Sequence, residues 1–478
     1  MYNYLTNYLI HNKRILLLLV FCVLSRLCTS IFYIEDIDSL RFALSAIYFD
    51  ITDSRPHFPG YPIFCFLLQK IYFLIKNIGL TFSIIGGFSI FTIIIFINKI
   101  IFELKIPHTI YTTLLIAINP LLWLMSNRYM PDLMGLALLT ISLLYLIKTI
   151  KYNYKINFIM LGVFLGFLAG VRLSFIPFFL PVIFLIKNKN FKYTCLYFVL
   201  SILIWLIPLV YITDYKSFLN IFINDFNGHF FKWGGTVFSS NVPYYNRFTK
   251  IFEFIFVDGF SFWMEGRNWT TIINSIFILI FLTILIIDKR KKIKATLKKE
   301  YLIISMCCVS YFIWIYFFQN ISYKSRHIIP YIPLVAVLFS ISLNNLINKN
   351  TLAKIFVYVF ICFHLYITLN LTAQHKNQSA ISQISSLILN IKSDKIVVIS
   401  DGLKLFYWSK LVPKDKVKFI NTRKLSTETI IEYYNLNYTI LSTTKLYPLA
   451  QVNYQEIDFY HNPFVNRLWS HLTIYKYE

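Results

Sequence analysis

The chain has 478 residues, of which 57% are hydrophobic and only 14% are charged. Soluble domains carry roughly 25% charged residues, whereas apolar runs close to the length that crosses a bilayer, about 20 residues, recur through most of this sequence. The composition excludes an ordinary soluble protein and predicts a multi-pass membrane protein.

The net charge of +24 arises from 46 basic and 22 acidic residues. In a soluble chain this excess would indicate nucleic-acid binding. Here the charges lie in loops between apolar runs, where they set topology and contact anionic lipids. We therefore expect membrane lipids and no nucleic acid as partners. The seven cysteines lie in or beside apolar runs, so we expect them to pack as small residues and predict no metal ligands.

Eleven segments are apolar and long enough to be membrane spans. The first resembles a signal peptide but lacks a small-residue cleavage site, so it is predicted to stay as a span. With a cytoplasmic N-terminus, every inside loop carries Lys or Arg, including the basic run 288–300, and the C-terminus lies outside. The sequence thus predicts a multi-pass plasma (inner) membrane protein. The predicted spans are 15–34, 79–97, 109–126, 131–147, 156–171, 173–186, 193–213, 269–287, 301–319, 328–344 and 355–372.

Residues 61–78 are apolar but are interrupted by Gln69, Lys70 and Lys76. Counting them as a span would invert every later loop and place the basic run outside. We therefore predict an interfacial or re-entrant segment on the outer face.

After residue 372 the charge content rises, and short strand-like runs alternate with a helical stretch. This alternation predicts a small extracytoplasmic α/β domain over 373–478, following an all-α polytopic membrane domain over 1–372. The membrane domain contains a first outer loop, 35–78, and a large outer loop, 214–268. The predicted strands are Lys395–Ser400, Lys416–Ile420 and Tyr438–Ser442, and the predicted helix lies near Thr427–Asn435.

The scarce charges of the membrane domain are unevenly distributed. On the predicted topology, eleven of its fourteen carboxylates face outward, and five of these lie in the first loop. Eight arginines also lie at or near the outer face, although the chain favours Lys over Arg by 34 to 12. Arg has a planar fork that binds phosphate with two hydrogen bonds, but snorkelling or ion pairing would also explain single arginines. The asymmetry predicts a polar site on the outer face.

The first loop concentrates this chemistry. Glu35, Asp36 and Asp38 lie within four residues, and such carboxylates can act as a general base or bind a cation. Alternatively, Asp36 or Asp38 caps a helix predicted over 39–49. The following Pro-His-Phe-Pro-Gly-Tyr-Pro run, residues 56–62, is typical of a rigid turn.

Four stretches, taken in chain order, resemble the outer-loop motifs of GT-C superfamily membrane glycosyltransferases, which include the protein O-mannosyltransferases. In the first, Phe58 stands where the family has the first of two consecutive prolines. The stretches are Asp38-Ser39 followed by a helix and residues 56–62; Asn119-Pro120 with Trp123 and Pro131-Asp132; Gly166 to Arg172 with Pro177; and Lys324-Ser325-Arg326-His327 with Pro330.

The resemblance implies inverting transfer of mannose or a similar hexose from a polyprenyl-phosphate sugar to an acceptor hydroxyl of a glycan, lipid or protein at the outer face. It implies Asp38 as the base, with Asp36 as the alternate, and Asp132 as the residue that positions the acceptor or a cation. It leaves a divalent cation open and implies no other cofactor. The residues expected to bind substrate are Glu35, Arg41, His57, Arg128, Arg172, Arg326 and His327.

A transporter or flippase of a lipid-linked or polar solute is the alternative function. Such a protein is expected to carry charges near the bilayer midplane, broken helices and an internal repeat. The predicted clustering of charges at the outer face favours the enzyme.

Overall fold

The computed structural model describes residues 2–107, 110–292, 298–393, 395–413, 415 and 417–478. By their contacts, the residues form two units. The membrane unit comprises Met1–Ile31 and Leu44–Ala373, and the C-terminal unit comprises Phe32–Ala43 and Gln374–Glu478.

The fold is mostly helical, with short 3₁₀ or π segments at Leu173–Leu185, Gly228–Lys232, Phe254–Asp258 and Ser325–Tyr331. The α-helices are α1 (Tyr2–Cys28), α2 (Ile37–Ile47), α3 (Pro62–Ile75), α4 (Ile78–Leu104), α5 (Ile110–Ala117), α6 (Pro120–Asn127), α7 (Asp132–Tyr152), α8 (Lys155–Arg172), α9 (Phe191–Thr213), α10 (Tyr215–Asn227), α11 (Tyr244–Glu253), α12 (Trp269–Lys292), α13 (Lys299–Phe318), α14 (Ile332–Ile347), α15 (Thr351–His375), α16 (Ala380–Asn390), α17 (Gly402–Leu411) and α18 (Thr427–Asn435).

The membrane unit has the helices that the apolar runs predict. Among the described residues, eight helical stretches are long and apolar enough to cross a bilayer, or nine when α5 and α6, bent by 49°, count as one span. Each of the eleven predicted segments coincides with a helical segment, although residue 109 and part of the basic run 288–300 lie outside the described residues. The multi-pass membrane architecture is confirmed.

Two of the predicted spans, α8 and the 3₁₀ segment Leu173–Leu185, join in one apolar stretch. A Cβ on Gly162 would lie 2.4 Å from the Thr194 carbonyl oxygen, and one on Gly166 would lie 2.4 Å from the Ser201 Cβ. From Gly162 to Gly166 along α8, the contacted residue moves in the same direction along α9, from Thr194 to Ser201. The two helices therefore run parallel and touch through small residues. For two consecutive helices to be parallel, the chain between them must pass from the end of α8 back to the level at which α8 begins. The 3₁₀ segment makes this passage, in the direction opposite to both helices.

Residues 61–78 contain α3, which is only 14 residues long. At about 1.5 Å per residue, this helix is shorter than the roughly 30 Å hydrocarbon core. By length, α3 belongs to the shorter apolar helices and not to the candidate spans. That the segment lies on the outer face stays a prediction.

The C-terminal unit contains a five-stranded sheet of order β2-β1-β3-β5-β4. The strands are β1 (Ile396–Ser400), β2 (Val417–Asn421), β3 (Thr439–Ser442), β4 (Tyr454–Tyr460) and β5 (His471–Tyr477). β1 pairs in parallel with β2 and β3, while β5 runs antiparallel to β3 and β4. Every residue of β1 is buried, as expected for a continuous apolar strand covered on both faces.

The three predicted strands and the predicted helix correspond to β1, β2, β3 and α18. Residue 416 lies outside the described residues, and β4, β5, α16 and α17 are not predicted from the sequence. Residues 32–43 group with this unit, although the sequence places 35–43 in an outer loop of the membrane domain. The reason is that their polar groups bind partners from the C-terminal part of the chain.

Candidate functional site

Most of the predicted site residues fall into two polar groups, each within one unit, and His57, Arg128 and His327 lie outside both groups. The acidic segment, residues 35–41, belongs to the C-terminal unit. The basic cluster belongs to the membrane unit and consists of Asp132, Arg172, His229, Lys324 and Arg326.

In the acidic segment, Asp36 caps the N-terminus of α2. The Ser39 amide donates to Asp36 Oδ1 at 2.8 Å, while Asn466 Nδ2 donates to Asp36 Oδ2 at 3.3 Å. Asp36 is only 4% exposed. Of the two helix-capping alternatives open from the sequence, the structure therefore assigns the cap to Asp36.

Asp38 lies in the first turn of α2, where the helix dipole favours a negative charge. Its Oδ1 lies 3.4 Å from Arg41 Nη1, and the Arg41 guanidinium lies over the Phe406 ring. The structure thus pairs Arg41 with Asp38, and its predicted role in binding substrate stays a prediction.

Glu35 lies at the start of this segment, with its Oε1 3.4 Å from His375 Nε2, and both side chains are almost completely buried. Tyr33 donates to the His375 carbonyl at 2.9 Å, and Tyr407 donates to the Ile34 carbonyl. Burial raises the pKa of Tyr407, and the nearby charges of Asp36 and Glu35 also raise it, so Tyr407 remains a protonated donor. The sequence does not predict His375, Tyr407 or Asn466 as site residues.

The basic cluster is built around a buried ion pair. Asp132 opens α7 directly after Pro131, and its Oδ1 lies 2.9 Å from Nη2 of Arg172, the last residue of α8. Their side chains are 1% and 6% exposed. A Cβ on Gly135, one turn along α7, would lie only 2.6 Å from Arg172 Cβ, so a glycine there lets the arginine approach.

A hydrogen-bonded chain extends from this pair to the turn at 56–62. Arg172 Nη1 donates to the Tyr61 hydroxyl at 3.3 Å, and the Tyr61 hydroxyl lies 3.0 Å from His57 Nε2. Gly60 has a φ of +86° and Tyr61 one of +46°, a tight turn that Gly accommodates readily. The structure therefore connects His57 to Arg172 through Tyr61, which the sequence does not predict as a site residue.

The stretch before α14 contributes further basic residues. Arg326 is 8% exposed and contacts the Met130 sulfur, next to Arg128, which is 7% exposed and follows α6. His327 is 5% exposed, and its carbonyl accepts a hydrogen bond from Tyr311 at 2.9 Å. Each of these predicted residues lies at the end of a helix, where it is largely removed from solvent.

His229 lies in the large outer loop, and its Nε2 is 3.1 Å from the Phe318 carbonyl oxygen. Burial lowers the pKa of His229, and the positive charges of Lys324 and Arg172 lower it further against the opposing effect of that hydrogen bond. His229 thus lies in the electrostatic field of the basic cluster. Its position in a long aromatic loop explains why spacing does not identify it as a site residue.

The basic cluster contains three fixed positive charges and one carboxylate. Arginine and lysine at a partly dehydrated site suit a phosphate, whose negative charge they bind and whose increase during a reaction they stabilise. The described part of the chain contains no group of three or more His, Cys, Asp or Glu side chains that could hold a metal ion.

No protein-family model matches the sequence, and a search among curated proteins finds no match. Solved structures do match over almost the whole chain. ArnT from Cupriavidus metallidurans bound to undecaprenyl phosphate has a TM-score of 0.56 at 11% identity, covering 98% of each chain. The apo state of ArnT from Cupriavidus metallidurans has a TM-score of 0.57 at 10% identity, covering 97% of this chain and 98% of that one.

At 10–11% identity, the likeness to ArnT shows the fold of this chain. The match spans both the helical part and the small C-terminal sheet, so it confirms the predicted fold class over the full length. It does not extend to the O-mannosyltransferase subtype. The chain is a polytopic membrane protein with the GT-C fold.

Proposed function

We propose that this protein is an inverting glycosyltransferase that transfers a hexose, with mannose as the first candidate, from a polyprenyl-phosphate sugar to an acceptor hydroxyl at the outer face. The observation that carries the proposal is the basic cluster, in which Asp132, Arg172 and Arg326 are buried, in a chain with the GT-C fold. The ArnT structure with this fold is bound to undecaprenyl phosphate, a lipid of the proposed donor class.

The leaving group is the polyprenyl phosphate. As the bond between the anomeric carbon and the phosphate oxygen breaks, negative charge grows on that oxygen, and Arg172, Lys324 and Arg326 stabilise it. Asp132 pairs with Arg172 at 2.9 Å. We therefore propose that Asp132 holds the guanidinium in place, in addition to the expected role in positioning the acceptor or a cation.

The acceptor oxygen attacks the anomeric carbon while a carboxylate takes its proton. A single displacement through a transition state with oxocarbenium character gives inversion. We propose Asp38 as this base because Asp36 is occupied by the Ser39 amide and by Asn466; Asp36 is the alternate.

The remaining predicted residues keep supporting roles in the proposal. His57 acts through Tyr61 on Arg172, and Arg128 and His327 flank Arg326 as polar contacts. Glu35, which lies beside His375, and Arg41, which pairs with Asp38, support the acidic segment. Because every loop on the predicted inside carries Lys or Arg, we further propose a cytoplasmic N-terminus and an extracytoplasmic C-terminal unit.

Reconstitution in proteoliposomes tests the function. The purified protein receives radiolabelled polyprenyl-phosphate mannose, or a panel of other polyprenyl-phosphate sugars, with a cell-envelope extract as acceptor. We expect covalent transfer of label and release of polyprenyl phosphate, both lost in Asp38→Asn. Asp50→Asn is the matched control, because Asp50 binds the Thr52 amide in an exposed turn of the first loop.

Label transfer that survives both Asp38→Asn and Asp36→Asn would contradict the base assignment. No transfer from any lipid-linked sugar would contradict the enzyme. Movement of label across the bilayer without covalent transfer would favour the transporter alternative.

A further inference from the structure

The C-terminal unit binds the acidic segment through a buried asparagine. Asn466, 4% exposed, lies in the loop between β4 and β5. Its Nδ2 donates to Asp36 Oδ2 at 3.3 Å, while its Oδ1 accepts from the Leu468 amide at 2.9 Å. The amide therefore has a fixed orientation, with its donor end towards the carboxylate.

His461 fixes the backbone of the same loop. Its Nδ1 accepts from the Ala380 amide at 3.0 Å, which places the ring proton on Nε2. That Nε2 donates to the Asn466 carbonyl at 2.8 Å. The loop is thus tied to the start of α16, so Asn466 is held by a rigid part of the fold.

Asp36 receives two donors from different directions. The Ser39 amide binds Oδ1 and sets the start of α2, while Asn466 binds Oδ2. The carboxylate therefore couples the β4–β5 loop to the first turn of α2, in which Asp38 lies two residues further on.

We infer that Asn466 is a positioning residue that holds the acidic segment through Asp36, so that Asp38 is fixed for proton abstraction. The inference rests on the proposed function, and it assigns the C-terminal unit a direct part in the reaction. Asp36 is then a structural carboxylate, and the proton transfer belongs to Asp38.

The substitution Asn466→Asp removes the hydrogen-bond donor that Asn466 presents to Asp36. The substituted carboxylate has nearly the same shape and can still accept from the Leu468 amide, but it cannot donate to Asp36 and repels it. We expect kcat to fall by about 10- to 100-fold, since small misplacements of a catalytic group have effects of this size, with KM for the lipid donor unchanged. Asn453→Asp, an exposed change in the same unit, is the control.

The double variant Asp36→Asn with Asn466→Asp reverses the hydrogen bond, because the substituted amide at 36 can donate to the carboxylate at 466. We expect it to recover most of the activity that either single change loses. If Asn466→Asp behaves as Asn453→Asp does, or the double variant is no better than the single ones, the inference is overturned.

Failure of the proposed function is distinguishable, because the wild-type protein would then transfer no sugar. In that case the coupling is measured by hydrogen–deuterium exchange of the Ser39 and Leu40 amides instead of by the rate of sugar transfer. Faster exchange in Asn466→Asp that returns to the wild-type rate in the double variant supports the coupling, and unchanged exchange overturns it.

Discussion

The acidic segment and the basic cluster are built in different ways. In the acidic segment, Asp36 is held by neutral donors and Asp38 is paired with Arg41. In the basic cluster, Arg172 pairs with Asp132, and Lys324 and Arg326 add two further positive charges. The first arrangement suits carboxylates that are fixed in orientation, and the second suits binding of an anion. We therefore expect changes in the acidic segment to affect kcat and changes in the basic cluster to affect binding of the lipid phosphate.

The largest effect is expected from Asp38→Asn. Loss of a general base lowers the rate by about 10²- to 10⁴-fold, whereas protection of the protein against heating by undecaprenyl phosphate should remain as in the wild type. Initial rates at saturating donor and melting curves with and without the lipid measure the two quantities. If Asp38→Asn also lost the protection by lipid, Asp38 would belong with the phosphate-binding residues. The distinction between the acidic segment and the basic cluster would then be wrong.

Arg172→Ala tests the buried ion pair. Removing the arginine leaves the Asp132 charge buried without its partner, and such losses cost about 3–5 kcal/mol of unfolding free energy. We expect a marked fall in melting temperature together with loss of lipid protection. The double variant Asp132→Ala with Arg172→Ala should be more stable than Arg172→Ala alone. A single variant as stable as the wild type would show that the pair is not buried.

Arg326→Gln tests phosphate binding while leaving the Asp132–Arg172 pair in place. We expect KM for the lipid donor to rise about 10-fold, as loss of one charged hydrogen bond implies, with kcat changed less. Arg55→Gln is the control, because Arg55 pairs with Asp53 and is more exposed than Arg326. Equal effects of both changes would mean that the outer-face arginines act through overall charge.

The fold was largely predictable from the sequence because membrane spans and central strands are continuous apolar runs. The eleven segments and β1 are of this kind. β4 was not predictable, since polar side chains alternate along it and most of its residues are exposed. Such edge strands carry a weak signal in a chain rich in Tyr throughout.

The candidate site was predictable only where a motif identified it. Asp132, Arg172 and Arg326 stand in family-like stretches, but no pattern links Asp36 to Asn466, which lies 430 residues further along the chain. Tyr61 and His229 belong to a turn and a loop whose aromatic residues also suit a membrane interface. Contacts between residues far apart in the sequence depend on tertiary packing, which the spacing of residues along the chain does not reveal.

The smallest expected effect is a change in the pH dependence of stability that arises from His229, whose pKa is lowered by burial and by the charges of Lys324 and Arg172. Because burial and two positive charges lower its pKa below 6.5, the unfolded chain takes up a proton at a pH where the folded chain does not. Stability should therefore fall as the pH drops below about 6.5. We expect the wild-type melting temperature to fall between pH 7.5 and 5.5 by roughly 1–2 °C more than that of His229→Gln.

Bound undecaprenyl phosphate sharpens the same measurement. If the phosphate binds at the basic cluster, its negative charge offsets Lys324 and Arg172 at His229 and favours the protonated ring. The extra pH dependence of the wild type should then shrink when the lipid is present, while that of His229→Gln should not change. An unaltered pH dependence with saturating lipid would place the phosphate away from His229 and would contradict its binding beside Lys324 and Arg172.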